Sequence, residues 1–302
     1  MNAGYREQVR LLLDVLPFVA EVEQLALHGG TAINLFVRNM PRLSVDIDLT
    51  YIPVEDRETT LSNIREILLH LKKRIKTGLA GVSIEPKLEI GKLIISSEKA
   101  TIKLEINLVG RGVFKTTEKA ILCNSAQEAF DTFVELEMVP LAQLFGGKIC
   151  AALDRQHPRD LFDIKYLLET EGISEDIKKG FIYCLLGSER PIYEVLNPNR
   201  LDHREALVNQ FDGMTDVQFT YEEYESTREK LIKEILKSLT NTDIEFLISF
   251  KSLTPDWSIY PYGEYPSIKW KLLNLNKLKD KNLKKYNEQV DRLKNFLNSI
   301  RS

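Results

Sequence analysis

The apolar positions divide the chain into an alternating first part and a helical second part. Val9, Leu12, Leu13 and Leu16 share one face of a helix over residues 5–16. Pro17 is expected to break or kink that helix, and a short second one could start there and run through Phe18 and Val19. Leu25-Ala26-Leu27-His28 reads as a short strand stopped by Gly29-Gly30, and residues 31–38 return to a helical spacing through Ile33, Leu35 and Phe36. After a break at Asn39-Met40-Pro41, residues 44–49 alternate polar and apolar, as a half-buried strand does. A charged amphipathic helix is expected over 56–77, then strands over 83–90, 92–97 and 101–109. In the last of these, Ile102, Leu104, Ile106 and Leu108 alternate with Lys103, Glu105 and Asn107. From about residue 125 the spacing predicts helices over 125–136, 140–153, 158–170, 174–186, 202–210, 220–239, 242–251 and 276–300. The proline- and aromatic-rich stretch 254–266 reads as an irregular connection. The plan is an α+β chain: a mixed α/β lobe over 1–124 and a mainly helical lobe over 125–302.

Composition narrows the class. A length of 302 residues suits two domains, and 43% hydrophobic with 28% charged residues excludes disorder, collagen-like repeats and a disulfide-built miniature. Cys123, Cys150 and Cys184 are odd in number and lack CxxC spacing, which suits structural thiols in a reducing compartment. Arg6, Glu7, Arg10 and Asp14 interrupt the N-terminal apolar residues, and no run approaches the length needed to span a bilayer. A cytoplasmic protein is the expectation. The net charge of -3 conceals an asymmetry, because residues 265–302 carry ten Lys/Arg against three Asp/Glu.

The first candidate chemistry lies on the strands. Asp46 and Asp48 are two residues apart and project from one face, and Glu105 offers a third acid on another alternating strand. Three carboxylates brought together repel unless cations neutralise them, and such hard oxygen ligands favour Mg²⁺ or Mn²⁺. Two such metals can clamp the attacking and leaving oxygens of a phosphoryl transfer. The alternative is a solvated sheet face. What favours chemistry is the preceding unit of strand, Gly29-Gly30 and helix, where backbone N–H groups can approach a triphosphate closely. Thr31 could cap that helix and donate to phosphate, and Arg42 and Ser44 lie just before the acids.

The second candidate is a pair of charges inside apolar stripes. Leu144, Phe145, Ile149 and Ala152 define one helix face and Lys148 falls within it. In the next helix Asp160 lies in the stripe of Leu161, Ile164, Leu167 and Leu168, with Asp163 at its edge. Either Lys148 and Asp160 form a buried pair fixing the helices, or Lys148 reaches a nucleotide phosphate with Asp160 orienting it. Gly146-Gly147-Lys148 is not a P-loop, since Ala142 and Ile149 depart from that pattern. No histidine–cysteine cluster suggests zinc. His28 reads more readily as a satisfied strand-end histidine than as a substrate contact.

The runs Leu27-His28-Gly29-Gly30-Thr31-Ala32-Ile33-Asn34-Leu35 and Arg42-Leu43-Ser44-Val45-Asp46-Ile47-Asp48-Leu49 resemble the first motif of the nucleotidyltransferase-type toxins of abortive infection and type IV toxin–antitoxin systems, the AbiEii/AbiGii-like group. Lys148-Ile149-Cys150-Ala151-Ala152-Leu153 with Arg159-Asp160-Leu161-Phe162-Asp163-Ile164 is similar to its downstream motif, and Lys103-Leu104-Glu105-Ile106-Asn107 to an intermediate strand. The resemblance spans about residues 20–170. It implies a DNA polymerase β-like nucleotidyltransferase fold, a mixed sheet flanked by helices, and a mainly helical second lobe. It further implies Mg²⁺-dependent transfer from an NTP to an acceptor such as tRNA, and an antitoxin partner. Gly29, Gly30 and Ser44 would contact the triphosphate, Asp46 and Asp48 would hold metal, Lys148 would bind phosphate with Asp160 as its partner, and Asp163 could have a scaffold role. Rival functions are a nucleotide-binding regulatory module without turnover, or nucleotidylation of a protein or small molecule. The C-terminal lysines 269, 271, 277, 279, 281, 284 and 285, with Trp270, could follow RNA phosphates or form a solvated helix.

Overall fold

A computed structural model describes residues 1–301, which form two compact units, Met1–Pro140 with Val208–Gln218, and Leu141–Leu207 with the described residues from Phe219 onward. In the first unit the elements are α1 (Ala3–Ala20), β1 (Leu25–His28), α2 (Gly29–Thr31, continuing as a π-helical turn over Ala32–Val37), β2 (Asp46–Tyr51), α3 (Arg57–Gly78), β3 (Ser83–Lys87), β4 (Lys92–Ser96), β5 (Thr101–Ile106), β6 (Glu118–Ile121), α4 (Asn124–Phe130) and β7 (Glu135–Met138). They build a seven-stranded mixed sheet in the order β3-β4-β5-β2-β1-β7-β6. β2 runs antiparallel to β1 and parallel to β5, and β7 runs parallel to β1. The alternation of the strands sorts their side chains as expected. Ile47, Leu49, Ile102, Leu104 and Ile106 are buried, while Asp46, Asp48, Lys103 and Glu105 take the other face.

Two elements of the first unit differ from expectation. α1 continues through Pro17 to Ala20, because Leu16 and Val19 are buried on either side of the proline and their burial offsets the lost hydrogen bond. The helix expected over 125–136 stops early, since Asp131 adopts the left-handed conformation (φ 50°) and Glu135–Met138 then alternates as β7. The boundary expected near residue 125 therefore falls inside the first unit. The chain also returns to this unit late: Leu43 N–H donates to the Met214 carbonyl at 2.7 Å and Thr215 Oγ1 to the Pro41 carbonyl at 2.7 Å.

The second unit is helical, with α5 (Leu141–Asp154), α6 (Pro158–Glu169), α7 (Glu175–Gly187), α8 (Ile192–Leu196), α9 (Arg204–Ala206), α10 (Tyr221–Ser238), α11 (Asn241–Lys251), α12 (Pro266–Lys281) and α13 (Leu283–Ser299). The single helix expected over 276–300 is two, because the Asn282 side chain accepts the Lys285 N–H and caps α13 afresh. α5 and α7 touch backbone to backbone. A Cβ on Gly146 would collide with the Gly180 carbonyl, and one on Gly180 with the Ala142 carbonyl. Neither obstacle is a flexible side chain, so Gly146→Val or Gly180→Val should lower stability by about 3 kcal/mol or more, read from urea unfolding. No helix among the described residues is long and apolar enough to cross a membrane.

Candidate active site

The Gly-Gly turn sits against the acidic strand. β1 ends at His28 and the chain enters α2 at Gly29, whose φ of +75° is a left-handed value that glycine adopts without penalty. A Cβ on Gly29 would overlap the Asp48 carboxylate. One on Gly30 would stand 2.9 Å from Ser44 Oγ and 3.0 Å from an Arg42 guanidinium nitrogen. The two glycines thus let Asp48, Ser44 and Arg42 close around one backbone turn. Arg42 is buried and donates to the Leu43 carbonyl at 2.9 Å. No side chain caps the start of α2, so its first N–H groups lie at a helix end that favours anions.

Thr31 is placed differently from expectation. It is the last residue of the first helical turn rather than the N-cap, a position held by His28. Its buried hydroxyl donates to the Asp46 carbonyl at 2.6 Å and lies 3.1 Å from Ser44 Oγ. It therefore fixes the entry of β2 against the glycine turn. His28 Nδ1 lies 3.1 Å from Thr50 Oγ1, the satisfied strand-end histidine expected from its position.

The acids lie on one side of the sheet. Strand register pairs His28 with Asp48, Asp48 with Glu105 and Glu105 with Lys92, giving a row across β1, β2, β5 and β4. Asp46 pairs with Lys103 in the next row, and their charges are 3.5 Å apart. Glu105 meets Lys92 Nζ at 2.8 Å. Among the described residues no three His, Cys, Asp or Glu side chains converge to enclose a metal. The proximity of Asp46 and Asp48, half-buried oxygen donors beside the cradle left by Gly29, fits a hard divalent cation. Lys92 and Lys103, which sequence spacing did not single out as partners, become visible only through register.

In the second unit Lys148 occupies the buried apolar face, as the stripe indicated. Its ammonium donates to Asp160 Oδ1 at 2.9 Å and to Asp163 Oδ2 at 2.9 Å. Arg155 Nε donates to Asp160 Oδ2 at 2.6 Å. Burial by itself would raise the Asp160 carboxyl, but Lys148 and Arg155 outweigh it and hold this group well below the usual carboxylate range. A depressed folded-state pKa contributes stability that is fully present above the unfolded value and is lost as pH falls through the folded one. Melting temperature should therefore fall from about pH 4 downward, and less steeply in Asp160→Asn. An equal slope in both proteins would exclude Asp160 as a source of acid lability.

The model of the AbiEii nucleotidyl transferase toxin, type IV toxin–antitoxin system, matches residues 10–273. No curated protein matches the chain. The fold is similar to that of MenT4, a nucleotidyltransferase toxin from Mycobacterium tuberculosis H37Rv, with a TM-score of 0.63 and 14% identity over 90% of this chain and 94% of that one. With the family model spanning most of its length, the chain belongs to the AbiEii family of nucleotidyltransferase toxins of type IV toxin–antitoxin systems.

Proposed function

We propose that the chain transfers a nucleotide from an NTP to RNA, with tRNA a candidate acceptor, in the cytoplasm, and that an antitoxin protein counters it. The observation that supports this reading is the close approach of the Gly29 turn to Asp48, with the backbone N–H groups of a helix start beside an acidic strand. The N–H groups of Gly29 and Gly30, with Ser44 and Arg42, bind the triphosphate, and Thr31 holds Ser44 and the β2 backbone in position. Asp46 and Asp48 hold Mg²⁺ or Mn²⁺. Bound there, the cation would neutralise charge on the reacting phosphate. Glu105 is assigned the third carboxylate, which it supplies by exchanging Lys92. A hydroxyl oxygen of the acceptor forms the new bond to the α-phosphorus, the bond to the β-phosphate oxygen breaks, and pyrophosphate leaves.

Lys148 is the family motif's phosphate-binding candidate and Asp160 its partner, but both are engaged with each other. In this proposal the pair, with Asp163, first serves to brace α5 on α6. A phosphate reaching Lys148 would compete with these two carboxylates for its ammonium. Support for RNA comes from the exposed lysines 269, 277, 279, 281, 284 and 285 and the half-exposed Trp270 on α12 and α13, where phosphate contact and base stacking are both available. Lys271 departs from that group, being buried.

The test is extension of purified tRNA and of total cellular RNA with each NTP in turn. An RNA product lengthened by nucleotide addition, lost with EDTA and restored by Mg²⁺, is expected. Label on a protein instead of RNA would assign a different acceptor, and transfer indifferent to EDTA would remove the metal from the reaction.

A further inference from the structure

The helical unit contains a cavity that the transfer reaction does not use. It has a volume of about 350 Å³, within the range of small-ligand sites, and its wall includes Ser188, Glu189, Lys251, Trp270, Lys271 and Gln289. Two of these are buried lysines, Lys251 at 4% and Lys271 at 8% exposure.

Lys271 is held where α7 ends. Its ammonium donates to the carbonyls of Ser188, Glu189 and Arg190 at 2.6, 3.3 and 2.5 Å, groups left without helical partners beyond the last turn. Gly187 permits this approach of α12, since a Cβ there would stand 2.6 Å from Ser267 Oγ. All three hydrogens of Lys271 are committed, so it contributes charge rather than a donor. Lys251 donates to Gln289 Oε1 at 2.7 Å and lies 5.9 Å from the centre of the Tyr286 ring. Two of its three hydrogens remain to be used.

What distinguishes the pair is its lack of a counter-ion. The other buried lysines each face two carboxylates, Lys148 those of Asp160 and Asp163, and Lys178 those of Glu175 and Asp243. Among the described residues neither Lys251 nor Lys271 has a carboxylate oxygen within 4.0 Å. Glu194 acts on both lysines and Glu189 on Lys271 only from beyond that distance. Burial pushes both ammonium groups down to about 8, and the charge of Lys251 adds to the effect on Lys271. Charge on both ammonium groups of this wall is unfavourable until an anion joins them. Trp270, 45% exposed, lines the same cavity, with Lys277 Nζ 5.5 Å from its ring centre.

We propose that this cavity binds a nucleoside phosphate, free or as one residue of an RNA strand. Lys251 and the Gln289 amide hold the phosphate in the field of Lys271, and the base stacks on Trp270. The site shares no residue with the proposed transfer centre, so it can fail without that centre failing.

Full-length protein, without divalent metal, is titrated by calorimetry with inorganic phosphate, with 5′-AMP and 5′-UMP, and with a short single-stranded oligoribonucleotide. Nucleotide binding is expected, weakened about tenfold or more by Gln289→Glu, which sets a carboxylate beside Lys251 and leaves the lysine in place. Lys251→Gln should do the same, and Trp270→Ala should weaken binding about fivefold or more. An oligonucleotide bound at least about tenfold tighter than either mononucleotide identifies RNA as the source, and equal affinities identify the free nucleotide. No binding of any probe at millimolar concentration, or equal binding by wild type, Gln289→Glu and Lys251→Gln, would overturn the site. Phosphate bound as tightly as nucleotide, with Trp270→Ala silent, would overturn the nucleoside assignment.

Discussion

Asp48→Asn and Asp46→Asn are each expected to lower the rate of nucleotide transfer by about 10²- to 10³-fold or more, with the melting temperature nearly unchanged. The substitution preserves shape and removes a charge from a half-buried position on the polar face of the sheet, so the core formed by Ile47 and Leu49 is untouched. Asp46 would lose its 3.5 Å pairing with Lys103, but that lysine is largely exposed and such surface pairs contribute at most about 1 kcal/mol. Glu105→Gln should have the smaller effect on transfer, because its carboxylate is already engaged by Lys92. Single-turnover rates with saturating NTP and Mg²⁺ measure all three. Unimpaired transfer by Asp48→Asn would sink its assignment as a metal ligand.

Lys148→Met should cost about 3–5 kcal/mol of folding stability, because it leaves two carboxylates in the core without their shared cation. Asp160 keeps its contact with Arg155, and Asp163 loses its 2.9 Å contact with the lysine. Adding Asp163→Asn to Lys148→Met removes one of the two buried carboxylates that faced Lys148 and should restore about 1–2 kcal/mol, a coupling that a double-mutant cycle isolates. Denaturant unfolding at neutral pH gives both numbers. Identical stability of the single and double variants would mean that Asp163 is not part of the brace.

Periodicity read the sheet strands and most helices well wherever alternation or helical spacing ran for several turns. It failed where one local event outweighed the pattern. Pro17 did not end α1 because buried neighbours held the last turn. Residues 125–136 did not stay helical because Asp131 turned left-handed, and the alternation of Glu135-Leu136-Glu137-Met138 was the available sign of β7. The site was legible in part. Lys148 and Asp160 stood out because each was a charge within an apolar stripe, and the Gly-Gly turn announced a close approach without saying what approached. The approach of Asp48 to Gly29, the seating of Thr31 under Ser44, and the pairing of Glu105 with Lys92 depend on register between segments distant in sequence. Lys271 shows the same limit: within a run of lysines nothing local marks the one that binds the end of α7.

The central claim, nucleotidyl transfer to RNA from the Asp46–Asp48 centre, is tested most directly by following the two ends of the NTP. Wild type and Asp48→Asn are incubated with Mg²⁺, cellular RNA and NTP labelled at either the α- or the γ-phosphate. The account predicts that α-label enters RNA only with wild type, while γ-label appears in pyrophosphate. Incorporation of γ-label into RNA or protein, or α-labelling of RNA undiminished in Asp48→Asn, would contradict it.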